Sequence, residues 1–172
     1  MYGLNVGEAI RRRDLHARFG GQQQGGIATP SDRPVILAFT GGSGAQHGYE
    51  DGWDKGVFCY FGEGQVGPME FVRGNRALRD HVREGKDLLL FKMEAKSFVS
   101  FMGAFVVASW EYLSDPARNQ GAFVAIASEL TRRWSRTMSR RSARCSARPT
   151  PRLAPCRLRR SAPGAPFKTS ST

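Results

Sequence analysis

Apolar residues in this chain gather in short runs separated by glycine, proline and charge. Pro34 to Thr40, P-V-I-L-A-F-T, is apolar and partly β-branched, and Gly41-Gly42 follows it. Such a run predicts a buried strand. Val57 to Phe61, Met69 to Val72, Asp87 to Met93 and Ala122 to Ala127 read the same way. Phe98 to Tyr112 alternates enough for one or two strands broken at Gly103. Two stretches have helical character. Glu8 to Phe19 carries Ile10, Leu15 and Phe19, with Arg11, Arg12 and Arg13 expected on its wet side. Asn75 to Glu84 places Leu78 and Val82 on one face, with Asn75 as N-cap and Gly85 as the stop. Gly20 to Gly26, G-G-Q-Q-Q-G-G, reads as a mobile polar linker, or as a Gln-bearing loop that touches base edges or fills a gap. About six strands, joined by turns and not by helical crossovers, with one or two helices, predict an α+β fold. Its core is a mainly antiparallel barrel or curled sheet with flanking helices.

Charge divides the chain. Residues 131–172 hold 12 Lys/Arg and no acid, whereas residues 1–130 hold 14 Lys/Arg and 15 Asp/Glu, so +12 and −1 give the net +11. The basicity therefore belongs to the tail. Rich in Arg, Ser, Ala and Pro, residues 131–172 cannot bury enough apolar surface to offset chain entropy, and are expected to be disordered. Nucleic-acid affinity driven by such a tail is non-specific and salt-sensitive. The same composition also arises when a GC-rich reading frame is shifted. Met1 to Glu8 contains no apolar signal core, and Phe98 to Trp110 is too short to span a bilayer, so a soluble cytoplasmic protein without membrane contact is expected. The three cysteines, Cys59, Cys145 and Cys156, form no C-x-x-C pair. Cys59 is expected to be a buried thiol in a reducing compartment, and neither a metal nor a cofactor is expected.

The densest chemistry lies in Gly48 to Gln65, G-Y-E-D-G-W-D-K-G-V-F-C-Y-F-G-E-G-Q. Aromatic faces can stack on a flat ring, carboxylates accept from amino groups, and glycines admit close backbone approach. This set suits a slot for a nucleobase. On composition alone, a twisted hairpin with a Gly-rich loop and core aromatics is the favoured reading.

The run G-Y-E-D-x-W-D-x-G-x-F-x-Y-x-G-E-G-Q is followed by M-E-F-x-R-G-N-R-A-L and G-K-D-L-L-L-F. In this order the segments resemble the SRA (SET and RING-associated) domain, in the form found in bacterial McrA-like, modification-dependent HNH endonucleases. R-R-D-L-H-x-R-F-G-G-Q-Q-Q-G-G-I upstream and F-M-G-A-F-V-V-A-S-W downstream extend the likeness to about residues 8–130. The resemblance implies a curled barrel of SRA/PUA type over residues 1–130. It implies binding of double-stranded DNA carrying 5-methylcytosine or 5-hydroxymethylcytosine, with the base flipped into a pocket, as the recognition module of a type IV-like restriction system. Tyr49 and Tyr60 are the implied stacking faces. Asp51 or Asp54 is the implied acceptor for the cytosine amino group, and Trp53 a plug or a base contact. Gly62, Glu63, Gly64 and Gln65 would cradle the base edge or sugar. Arg73, Asn75 and Arg76 would contact phosphate or brace the pocket, and Arg11, Arg13 and His16 would reach the DNA backbone. Pro68 stands where the bacterial pattern has an acid; Pro removes a backbone donor and fixes φ, and if that acid orients the pocket, weaker binding is expected here. The relatives continue into an HNH nuclease that needs His residues, yet no His follows His81 here. No catalytic residue is therefore assigned, and the tail is expected to be a truncated or frame-shifted remnant of that region. Cleavage would need a nuclease domain or a protein in trans. The alternatives are an HNH endonuclease acting through this chain, or a generic PUA-like nucleic-acid-binding barrel.

Overall fold

The computed structural model describes residues 2–41, 51–64, 69–95, 97–115 and 123–132, with the backbone alone at 113–115 and 123–132. Expectations for residues 133–172, and for Tyr49, Gln65 and Pro68, lie outside the described residues. The elements in chain order are β1 (Ala9–Arg11), α1 (Arg12–Phe19), β2 (Ile27–Ala28), β3 (Val35–Thr40), β4 (Gly52–Asp54), β5 (Val57–Phe61), α2 (Arg73–Asp80), β6 (Asp87–Ala95), β7 (Phe98–Asp115) and β8 (Phe123–Arg132).

The fold is α+β, but its sheet is not a closed barrel. Strand order runs β2-β3-β6-β7-β8-β5-β4, with β1 added to β7. The two ends of this path, β2 and β4, do not pair, which corrects the expected closure. One pair departs from the antiparallel scheme: β3 and β6 run parallel, with Val35 opposite Asp87 and Thr40 opposite Lys92. The connection between them contains β4, β5 and α2, so one crossover exists where only turns were expected.

That parallel pair explains why β3 is apolar at every position. Covered on both faces, it feeds two cores. Val35, Leu37 and Phe39 join Leu89 and Phe91 of β6 against Leu15 and Phe19 of α1. Ile36 and Ala38 join Leu88 and Leu90 against Leu78 of α2, with Phe58, Tyr60 and Phe105. Each Leu or Phe so buried contributes about 2–3 kcal/mol.

Several local expectations change. Glu8 to Phe19 is split, because Ala9–Arg11 pairs with β7 before α1 begins. Met69 to Val72 is not a strand but leads into α2. Asn75 is not the N-cap, a position held by Val72. It sits inside α2 and is buried, while Val82 is exposed. Phe98–Asp115 is one strand, and a register shift between Leu90 and Phe91, opposite Gly103, absorbs the expected break. Cys59 is buried but disulfide-bonded, not a free thiol. No helix among the described residues is long and apolar enough to cross a membrane.

α2 docks closely on β2. A Cβ added at Gly74 would lie 2.9 Å from Ile27 Cβ and 2.6 Å from Glu63 Oε2. Ala is intrinsically better in a helix by about 1 kcal/mol, but overpacking costs about 1–3 kcal/mol. Gly74→Ala is therefore expected to lower the melting temperature, as thermal unfolding followed by circular dichroism would show.

Candidate functional site

The β4–β5 hairpin turns through Lys55 and Gly56, both at positive φ (47° and 86°). This is the backbone of a two-residue hairpin turn whose twist matches its strands. The turn fixes the register, with Gly52 opposite Cys59 and Asp54 opposite Val57. Asp54 is thus held at the tip. Asp51, just before β4, arrives beside the far end of β5. Its Oδ1 accepts from the Phe61 backbone N–H at 2.8 Å, and its Oδ2 accepts from Thr40 Oγ1 at 2.7 Å. Asp51 therefore ties the hairpin to the end of β3. Burial pushes its carboxyl up to about 6, against the two hydrogen bonds, which favour the charged form. Each oxygen retains lone-pair capacity for a further donor.

Tyr60 lies next to this carboxyl but faces inward. It is 2 % exposed and belongs to the core cluster with Phe58 and Leu78. The ring is sealed in this structure, which corrects the expectation of an open stacking face. Its hydroxyl donates to Gly26 O at 3.0 Å. Burial, and then the charges of Asp51 and Glu63, push the phenol well above its ordinary range, so it is a neutral donor.

Glu63 and Asn75 build the opposite wall. Glu63 Oε1 accepts from the Ile27 N–H at 2.6 Å. The Glu63 backbone N–H donates to Asn75 Oδ1 at 2.7 Å, while Asn75 Nδ2 donates to Glu63 O at 2.8 Å and to Glu70 O at 2.9 Å. A Cβ at Gly62 would stand 2.7 Å from Asn75 Oδ1, so the loop and α2 meet as closely as glycine allows. Gly64, at φ 157°, lies as closely against Met69 Cγ, 2.8 Å from an added Cβ.

The Gly20 to Gly26 loop is pinned, not free. Gln22 Nε2 donates to Ile27 O at 2.7 Å, and Arg12 Nη2 donates to Gly25 O at 2.6 Å. Arg12 is half-buried, its guanidinium 4.0 Å from the Phe39 ring centroid, which corrects its placement on the wet side of α1. His16 is buried against Phe39 and turned from the surface. Arg12 Nε approaches His16 Nε2 at 3.4 Å and His16 Nδ1 lies 3.1 Å from Gly20 O. Desolvation lowers its pKa, so the neutral ring braces the loop.

The remaining candidates scatter. Trp53 is exposed, set edge-on to Phe58 at 5.3 Å. Arg73 opens α2 with φ 44°. Arg76 reaches Asp80 at 3.7 Å. Arg11 lies over Phe98, and Arg13 pairs with Asp14 at 3.3 Å. The structure thus brings Asp51, Tyr60, Gly62, Glu63 and Asn75 together, and sets Asp54, Arg11 and Arg13 apart. Sequence reading missed Arg12 and Thr40. Arg12 had a signal, because positions 12, 15, 16 and 19 share one helical face. Thr40 had none, because its role depends on β3 ending beside Asp51.

A family model described as the ScoMcrA-like SRA domain matches residues 6–143. Among solved structures, the SRA domain of SUVH5 in complex with methylated CHH DNA superposes with a TM-score of 0.58 at 21% identity, over 76% of this chain and 89% of that one. The SUVH5 SRA domain bound to fully hydroxymethylated CG DNA gives 0.56 at 19% identity, over 76% and 89%. The sulfur-binding and SRA domains of ScoMcrA complexed with phosphorothioated DNA give 0.56 at 22% identity, over 74% of this chain and 39% of that one. No curated protein sequence matches. The match to the family model spans most of the sequence, so the chain belongs to the ScoMcrA-like SRA domain family.

Proposed function

We propose that this chain binds double-stranded DNA carrying 5-methylcytosine or 5-hydroxymethylcytosine, taking the modified base out of the duplex. The observation that carries the reading is Asp51: a half-buried carboxyl, oriented by a backbone N–H and a hydroxyl, inside an SRA domain. A cytosine edge presents an amino donor, and such a carboxylate accepts from it. Asp51 takes this role over Asp54, which stands at the hairpin tip. Tyr49 supplies a stacking face, Tyr60 supports the slot from the core with its hydroxyl on Gly26 O, and Gly62, Glu63, Gly64 and Gln65 cradle the edge and sugar. Asn75 braces the cradle from behind, while Arg73, Arg76, Arg11 and Arg13 meet phosphates. Solved relatives support this: SUVH5 SRA structures hold methylated and hydroxymethylated DNA, and ScoMcrA, a type IV phosphorothioation-dependent restriction endonuclease, supports the restriction-system part of the reading. The chain acts in the cytoplasm as the recognition module of a type IV-like restriction system, with cleavage supplied by another domain or protein.

A mobility-shift titration with methylated, hydroxymethylated and unmodified duplexes, run at two salt concentrations, tests the proposal. At least tenfold tighter binding of one modified duplex, kept at the higher salt, is expected. Equal affinity for all three would leave only the charge-driven contact of the basic tail.

A further inference from the structure

α2 carries a second surface beyond the base slot, joined to the duplex contacts through Arg76. Arg73 to Arg83 holds four arginines and one aspartate. Arg76, Arg79 and Arg83 share the single carboxylate of Asp80, at 3.7, 2.9 and 3.0 Å. Three guanidiniums offer far more N–H donors than one carboxylate can accept, so the stripe keeps donors and net positive charge for an anion. Its helical spacing places these side chains along one face.

An aromatic cluster abuts the stripe. Phe71 lies 4.7 Å from Trp110 and 5.5 Å from Tyr112 by ring centroids, and the Arg79 guanidinium lies 4.7 Å from the Phe71 ring. Trp110 and Tyr112, two apart on β7, are 44% and 51% exposed. Large aromatics left this open beside clustered arginines are the composition of a surface that stacks unpaired bases while its cations follow the phosphates. Paired bases cannot be reached in this way, because their faces are stacked within the duplex.

We infer that the Arg76–Arg79–Arg83 stripe and the Phe71–Trp110–Tyr112 cluster form a binding surface for single-stranded nucleic acid. Single-stranded nucleic acid is favoured over an acidic protein because the same helix braces the base slot through Asn75. The inference rests on the DNA-binding reading and adds a site to it.

The test uses the full chain and an oligothymidylate carrying 4-thiothymidine, cross-linked by light and mapped by mass spectrometry. Cross-links at Trp110, Tyr112 or Phe71 are expected. They should fall at least fivefold in Trp110→Ala and in the double variant Arg79→Gln, Arg83→Gln, whose circular dichroism and preference for methylated duplex stay intact. Asp51→Asn should weaken methylated-duplex binding and leave these cross-links unchanged, which separates failure of this site from failure of the base slot. Cross-links confined to residues 131–172, yields unaltered in both patch variants, or displacement of the oligonucleotide from the patch by polyglutamate but not by excess oligothymidylate would overturn the inference.

Discussion

Asp51→Asn is expected to raise the melting temperature at pH 7.5 and to weaken binding of methylated duplex about tenfold. The two effects share one cause. In the folded chain burial lifts the carboxyl from its ordinary 3.8 to about 6. The folded state therefore holds this proton more tightly than the unfolded state does. The stability that the protonated group confers is whole below pH about 4 and is lost as pH rises through about 6. Above that, the buried charge costs up to roughly 3 kcal/mol, less whatever solvent reaches this half-buried group. Asn has the same shape and no charge. It can accept from the Phe61 N–H and turn its amide toward Thr40. The gain should be several degrees at pH 7.5 and should vanish near pH 4, as thermal melts across pH would show. Binding moves the other way, because a charge-assisted hydrogen bond is about twice as strong as a neutral one. A loss of about 1.4 kcal/mol is tenfold in affinity. Wild-type affinity for methylated duplex should likewise fall as pH drops through 6, while that of Asp51→Asn stays flat. A variant less stable than wild type at pH 7.5 would contradict the account of this carboxyl.

Asn75→Ala should have the largest effect on stability. Asn75 is 4% exposed and satisfies three backbone groups, the N–H and C=O of Glu63 and the C=O of Glu70. A buried polar group left unpaired costs about 1–3 kcal/mol. Glu63 is half-buried and Glu70 exposed, so water repairs part of the loss. A net destabilisation of about 2–4 kcal/mol follows, and denaturant unfolding should register it. Methylated-duplex affinity should fall as well, because the Gly62–Gly64 wall loses its tie to α2. Asn75→Asp should not rescue: one oxygen can accept from Glu63 N–H, but the other would face two carbonyls. A variant with wild-type stability and affinity would remove Asn75 from the site.

The strands were legible where one residue run decides them. β3, β5 and β6 are short apolar segments between turn residues, and their burial on both faces follows from continuous apolarity. The open sheet was not legible, because whether β2 meets β4 depends on partners far apart in sequence. Asn75 misled because its cap preference is local, whereas its buried amide answers to a loop 12 residues away. Met69 and Phe71 imitate a strand, but Phe71 packs on Trp110 and Met69 under Gly64. In the site, the resemblance reached Asp51 and Asp54 together. The Lys55-Gly56 turn, readable as such, separates them. Tyr60 shares a strand face with Phe58, and in a strand apolar at every position that face is core.

The account stands on a modified cytosine leaving its helix for the Asp51 slot. Fluorescence of 2-aminopurine placed beside the modified base reports this directly, since it brightens when its neighbour unstacks. A rise on binding methylated duplex, absent with unmodified duplex and reduced in Asp51→Asn, is the predicted result. Full binding of methylated duplex with no change in fluorescence would contradict it.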